Sequence, residues 1–291
     1  MRMPEAEVDI TSDLVQKLIM DQHPDLSGPL TLIANGWDNV IFRLGEDLSV
    51  RLPRRQAAAQ LVVNEQTWLP GLAPSLPVET PVPVRVGRPS ADYPWSWTIG
   101  RWFDGMSLIE LPVPDRSRVA RSLAAFFAAL HRPAPSDAPV NPVRGVPLRN
   151  RAALAEEHFA TGLIPEPDRI AKLWSAALDT PAWEREPYWL HGDPHPANFL
   201  AGEQELSAVL DFGDITAGDP ATDLASAWLT FDQQGRDIFT ACYTELTEAD
   251  PGIWQRARGW AIAIGMALVV NSDDNPQLAA VGRHALAAVL L

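Results

Sequence analysis

Cysteine is nearly missing from this chain: Cys242 is the only one in 291 residues. That excludes an internal disulfide and any zinc site built from a cysteine cluster, and leaves a buried, inert thiol as its ordinary reading. Long apolar runs are missing too, the longest being Trp260 to Val270, too short to cross a bilayer. The opening stretch MRMPEAEVDITSDLV has no basic segment followed by an apolar one, so no secretory signal is expected and a soluble, cytoplasmic protein follows. Positive charge is scarce, with 23 Lys and Arg against 37 Asp and Glu and a net charge of -14. That balance argues against a nucleic-acid surface, which needs a basic footprint, and favours a cationic small-molecule partner. Three motifs are lacking as well: the G-x-x-x-x-G-K-[ST] phosphate loop, the G-x-S-x-G nucleophile elbow and the H-E-x-x-H zinc helix.

What is present is concentrated in YWLHGDPHPANFLAGEQELSAVLDFGD, residues 188–214. An apolar strand-like run leads into His191-Gly192-Asp193, Asn198 follows Asp193 by five positions, and a second strand, Leu206 to Leu210, delivers Asp211. Phosphoryl transfer needs a carboxylate to orient and accept the proton of an attacking hydroxyl, and oxygen ligands for the divalent metal on the phosphates. Asp193 suits the first task. Asn198 and Asp211 suit the second, because Mg²⁺ takes one or two protein oxygens and keeps its other positions for water and phosphate. The spacing parallels the protein-kinase H-R-D-x-x-x-x-N loop, with Gly192 in place of Arg, and Asp211-Phe212-Gly213 matches D-F-G literally.

The fuller pattern, H-G-D-x-H-P-x-N followed by D-F-G-D-x-x-x-G-D-P-x-x-D-L-A, resembles the aminoglycoside phosphotransferase family, densely over about 188–228 and more weakly over 30–105. The resemblance implies an α+β, bilobal protein-kinase-like fold: a small antiparallel-sheet N-lobe with one main helix at 1–101 and a larger, mostly helical C-lobe at 102–291. It also implies ATP or GTP with Mg²⁺ as cofactors, a small-molecule hydroxyl acceptor of aminoglycoside type, and a role in antibiotic resistance. Members of the family also act on macrolides, choline and homoserine.

The element pattern agrees. A helix is expected over Val8 to Asp21, capped by Thr11 or Ser12, then strands over Leu30–Ala34, Asn39–Leu44 and Leu48–Leu52. A helix over Gln56–Leu69 and strands over Val82–Val86 and Trp95–Phe103 complete that half. Helices follow over Ser117–His131, Arg149–Ala160, Asp168–Leu178, Pro220–Phe231, Gly235–Thr247, Pro251–Val270 and Gln277–Leu290, with a proline-rich loop over Pro133–Pro147.

By the same resemblance, Arg51 stands where the kinase lysine meets the α- and β-phosphates, with Glu65 as its helix partner; Arg54 and Arg55 compete for that role. Asn35 and Gly36 occupy the phosphate-covering turn, although an ordinary Asn-Gly hairpin reads equally well there. The backbone near Arg101 and Phe103 is expected to meet the adenine, unless Trp102 and Phe103 are simply core. His191 is read as a brace and His195 is left open between loop support and solvent. Asp214, Asp219 and Asp223 are read as partners of loop backbone, with Asp214 alternatively at the phosphates and Asp223 alternatively a helix cap. Asp232, Asp273 and Asp274 are candidates to meet amino groups of an acceptor. Two rivals stand beside this reading: a metal hydrolase using His191-x-Asp193-x-His195, and a nucleotide-binding pseudokinase, kept open by Arg in place of Lys. Nothing in the sequence sets the oligomeric state.

Overall fold

The computed structural model describes residues 4–203, 205–248 and 250–291. They divide into two compact units. One runs up to Pro74 and includes Thr80–Asp104; the other comprises Ser75–Glu79 and Gly105–Leu291.

The smaller unit contains helix α1 (Ser12–Gln22), strands β1 (Leu30–Asn35), β2 (Asn39–Leu44) and β3 (Leu48–Pro53), helix α2 (Gln56–Leu72), and strands β4 (Pro83–Gly87) and β5 (Trp97–Arg101). The strands form one antiparallel sheet in the order β1-β2-β3-β5-β4. Alternation along the pleat sends Val40, Phe42, Leu44, Val50 and Leu52 into a core shared with Val15, Leu18 and Ile19 of α1 and with Trp97 and Ile99 of β5. The intervening Arg51 therefore faces the other way. Helix α1 begins later than its apolar spacing suggests, because the Thr11 hydroxyl accepts the Leu14 N–H and fixes the first turn there. Helix α2 runs past Leu69 through Pro70, which forfeits one ladder bond two residues before the helix ends.

The larger unit is mostly helical: α3 (Ala120–Leu130), α4 (Ala152–Ala160), α5 (Pro167–Leu178), α6 (Ala221–Leu224), α7 (Ser226–Thr230), α8 (Gln233–Leu246), α9 (Ile253–Asn271) and α10 (Pro276–Ala288). Its short strands are β6 (Met106–Ser107), β7 (Tyr188–Leu190), β8 (Phe199–Ala201), β9 (Leu206–Val209) and β10 (Thr216–Gly218), paired as β6-β8-β9 and β10-β7. Residues 75–79 belong here because Glu79 bridges to Ala208, its N–H donating to the Ser207 carbonyl and its carbonyl accepting from Val209. The single helix expected over 220–231 is two short ones that meet at Ala225. Ser117–Val119 turn as 3₁₀ before α3 begins. Helix α9 is buried almost continuously from Gly259 to Met266, with α5 and α10 packed on it. Among the described residues no helix is long and apolar enough to cross a membrane.

Candidate active site

In the smaller unit, Arg51 and Glu65 meet as the sequence suggests: a guanidinium nitrogen lies 2.6 Å from the carboxylate, with the side chains 13% and 1% exposed. The two competing arginines spend their donors on the β1–β2 turn. Arg54 donates to the Gly36 carbonyl at 2.8 Å and Arg55 to the Asp38 carboxylate at 2.7 Å. Gly36 closes that turn with its N–H on the Asn39 carbonyl at 2.9 Å, one residue from Asn35. After β5, the Arg101 carbonyl accepts the Ser49 hydroxyl at 3.3 Å. Trp102 lies under the Arg43 guanidinium, 4.7 Å from ring centroid to charge, and is half-buried, as is Phe103.

The larger unit builds its loop from the ends of β7 and of the β8–β9 pair. Asp223, fully buried on α6, accepts the N–H groups of His191 at 2.7 Å and Gly192 at 2.9 Å. The same carboxylate lies 3.2 Å from His131 Nε2, whose Nδ1 is 2.8 Å from the Tyr243 hydroxyl. His191 donates from Nε2 to the Leu210 carbonyl at 2.8 Å and accepts the Asp193 N–H on Nδ1 at 3.2 Å. Both ring nitrogens are thus committed to bracing, and neither is left for a metal. Gly192 has φ +88°, and a Cβ there would stand 2.2 Å from the Asp214 carbonyl oxygen. This explains why the position held by Arg in protein kinases is glycine here.

Asp193 emerges from this brace, and Asn198 Nδ2 donates to its carboxylate and to its carbonyl, both at 3.0 Å. His195 Nε2 lies 3.0 Å from the same carboxylate, which settles the open reading of His195. The Asn198 carbonyl accepts the Leu210 N–H at 2.8 Å, continuing the Phe199–Val209 register. Asn198 and Asp211 therefore leave the same end of one strand pair. Asp211 adopts φ +58°, and its carboxylate accepts the Gly213 N–H at 3.4 Å. With its NH₂ group given to Asp193, Asn198 has only its amide oxygen to offer a cation. That oxygen and the Asp211 carboxylate are the hard donors Mg²⁺ prefers, in the number it takes from protein, so the pair fits such an ion. Among the described residues no group of three His, Cys, Asp or Glu is placed to hold a metal, which removes support from the hydrolase triplet.

Two residues of the proline-rich loop join the site without a sequence signal to announce them. Arg144 comes within 3.8 Å of the Asp193 carboxylate, and Asn141 donates to Asp214 at 2.7 Å. Burial alone would raise the Asp193 pKa, but the charge and hydrogen bond of His195, with Arg144 behind them, hold it well below the usual carboxylate range. Burial, joined by the charges of Asp193 and Asp211, pushes Asp214 up to about 6. Asp219 is tied to structure, ion-paired with Arg256 at 2.7 Å and accepting the Ala221 N–H. Asp232 caps α8 by accepting the Gly235 N–H.

A family model described as the phosphotransferase enzyme family matches residues 29–260. Among solved structures, the chain is similar to the GDP complex of wild-type aminoglycoside 2'-phosphotransferase-IIIa, at 20% identity and TM-score 0.73, covering 97% of this chain and 99% of that one. It is also similar to macrolide 2'-phosphotransferase MphH from Brachybacterium faecium, at 24% identity and TM-score 0.66 over 96% and 98%. A third is the streptomycin-ATP-APH(2")-IIa ternary complex, at 17% identity and TM-score 0.61 over 93% and 96%. At these identities the likeness is one of fold.

Proposed function

Because the chain belongs to the phosphotransferase enzyme family, we propose that it moves the γ-phosphate of ATP or GTP to a hydroxyl of a small molecule, with an aminoglycoside-type antibiotic as the acceptor. The observation that carries this reading is the carboxylate of Asp193, held by Asn198 and His195 beside a strand end that also delivers Asp211. The acceptor class draws support from aminoglycoside complexes among the similar structures and from a net charge of -14, which favours cationic molecules. The macrolide phosphotransferase among those structures supports a second acceptor class.

Asp193 orients the acceptor hydroxyl and takes its proton as the new O–P bond forms. Arg51, steadied by Glu65, meets the nucleotide phosphates, and the backbone of the Asn35-Gly36 turn covers them. The backbone at Arg101 and Phe103 reads the adenine edge. Mg²⁺, when held by Asn198 and Asp211, would offset the charge of the phosphates.

The test is a phosphate-transfer screen of the purified protein with ATP and GTP against aminoglycosides, macrolides and small amino alcohols. Asp193→Ala is expected to lose turnover by a factor of about 10² to 10⁴ with nucleotide affinity barely changed. Normal turnover in that variant removes Asp193 from the role, and transfer to no acceptor class points to a metabolite outside the panel or to a pseudokinase.

A further inference from the structure

The segment Pro139–Gly145 has no regular secondary structure, yet it is pinned on both sides of Arg144. Upstream, the Asn141 N–H donates to the Thr216 hydroxyl at 2.9 Å, and that hydroxyl donates to the Pro139 carbonyl at 2.9 Å. Downstream, the Gly145 N–H donates to the Thr222 hydroxyl at 3.1 Å, and its carbonyl accepts the Asp219 N–H at 3.0 Å. Gly145 has φ +68° and lies against Gly218 so closely that a Cβ would meet the Gly218 Cα at 3.3 Å. None of these bonds uses the Arg144 side chain. The backbone is fixed so that one arginine is presented beside Asp193.

The guanidinium so presented is poorly used within the protein. It lies 3.8 Å from one Asp193 oxygen, makes no hydrogen bond among the described residues, and has its Nε buried without a partner. Its side chain is only 22% exposed. An arginine with that burial ordinarily spends its five planar donors, and the partner these match best is a carboxylate or phosphate edge. A residue needed only to offset the charges of Asp193 and Asp214 would satisfy itself by hydrogen-bonding one of them.

We propose that Arg144 is a further catalytic residue, whose guanidinium contacts the phosphoryl group during transfer and stabilises the charge on its equatorial oxygens. This rests on the phosphotransfer reading. In the step, the acceptor oxygen bonds to the γ-phosphorus, and the bond from phosphorus to the β,γ-bridging oxygen breaks, its electron pair leaving on the nucleoside diphosphate. The hydroxyl proton passes to the Asp193 carboxylate. Charge moves while no group of the protein is bonded, so fixed donors beside Asp193 act on the transition state more than on the bound nucleotide.

The test uses the full chain with Mg²⁺ and ATP, water serving as the acceptor so that ADP release is read directly, and with ADP plus aluminium fluoride as a mimic of the phosphoryl group in flight. Arg144→Ala is expected to slow ADP release by about 100-fold, to keep ADP affinity within about twofold, and to weaken the fluoride complex by tenfold or more. Added guanidinium should restore part of the lost rate in this variant only. Arg144→Lys, which keeps the charge but not the fork, should remain about tenfold slow. Wild-type rate and fluoride affinity in Arg144→Lys would reduce Arg144 to a counter-charge and overturn the proposal. So would an Arg144→Ala variant that loses ADP and the fluoride complex equally. An unaltered protein that neither releases ADP nor binds the fluoride complex sinks the phosphotransfer reading first, and this inference with it.

Discussion

Asp223→Ala is the substitution that most directly tests how the catalytic loop is held. The Asp223 carboxylate is fully buried and accepts from three donors: the His191 N–H at 2.7 Å, the Gly192 N–H at 2.9 Å and His131 Nε2 at 3.2 Å. Removing it leaves those donors buried without an acceptor, at about 1 to 3 kcal/mol each. Water entering the space left by the carboxylate recovers part of this, so about 3 to 6 kcal/mol is the expected loss. At about 2 to 4 °C per kcal/mol for a unit of this size, the melting temperature should fall by roughly 10 to 20 °C. Asp223→Asn keeps one acceptor oxygen but turns an NH₂ group toward a donor, so it should lose about half as much. Tyr243→Phe, further along the same chain of bonds through His131, should cost about 1 kcal/mol. Thermal melting followed by circular dichroism reads all three. An Asp223→Ala protein that melts within about 2 °C of the parent would show that the loop is held by something else.

Gly192→Ala must place a Cβ 2.2 Å from the Asp214 carbonyl at φ +88°, so it should destabilise by about 2 kcal/mol or more and abolish transfer; a stable, active variant would mean that this turn relaxes freely. Glu65→Gln removes this counter-charge from Arg51 in a nearly buried pair, at about 3 kcal/mol in a urea titration and about tenfold in ATP affinity; unchanged affinity would take Glu65 out of nucleotide binding. The hydrogen bond from Arg256 holds the Asp250 pKa below its ordinary 3.8, so Asp250 contributes stability above pH 4 that is lost as pH falls through its folded-state value. Asp250→Asn should therefore flatten the acid limb of the stability profile below about pH 4, and an unchanged limb would contradict the linkage.

The arrangement of the loop was legible in the sequence because it is local. Asp193 and Asn198 sit five residues apart in one turn, and Asn198 and Asp211 are joined by a short strand pair whose apolar alternation can be read directly. The pairing of Arg51 with Glu65 came from the family resemblance, and the alternating strand and the buried face of the helix that follows agree with it. What escaped was long-range. Asn141 meets Asp214 across 73 positions, and His131 meets Asp223 across 92. The loop that carries Asn141 and Arg144 has neither period, and its prolines say only that it is not a helix or a central strand. Gly145, which the structure places in a left-handed turn against Gly218, fixes the backbone beside Arg144 but does not announce the arginine's role.

The environment of Asp193 has a further consequence for the proposed reaction. A carboxylate that receives Asn198 and His195 and lies near Arg144 is held well below its ordinary pKa, and so is a weak base at neutral pH. A weak base cannot draw the proton from an alcohol before attack, because the equilibrium lies too far on the hydroxyl side. It can fix the hydroxyl in line and take the proton once the oxygen has begun to bond to phosphorus and become acidic. A loose phosphoryl-transfer transition state asks for little more than this, since bond formation to the acceptor lags behind cleavage of the bridging bond. The donors around Asp193 therefore do not oppose its assigned role. They trade basicity for a fixed direction, which places the burden of rate acceleration on positioning and on positive charge at the phosphoryl oxygens, the demand that Arg144 is placed to meet.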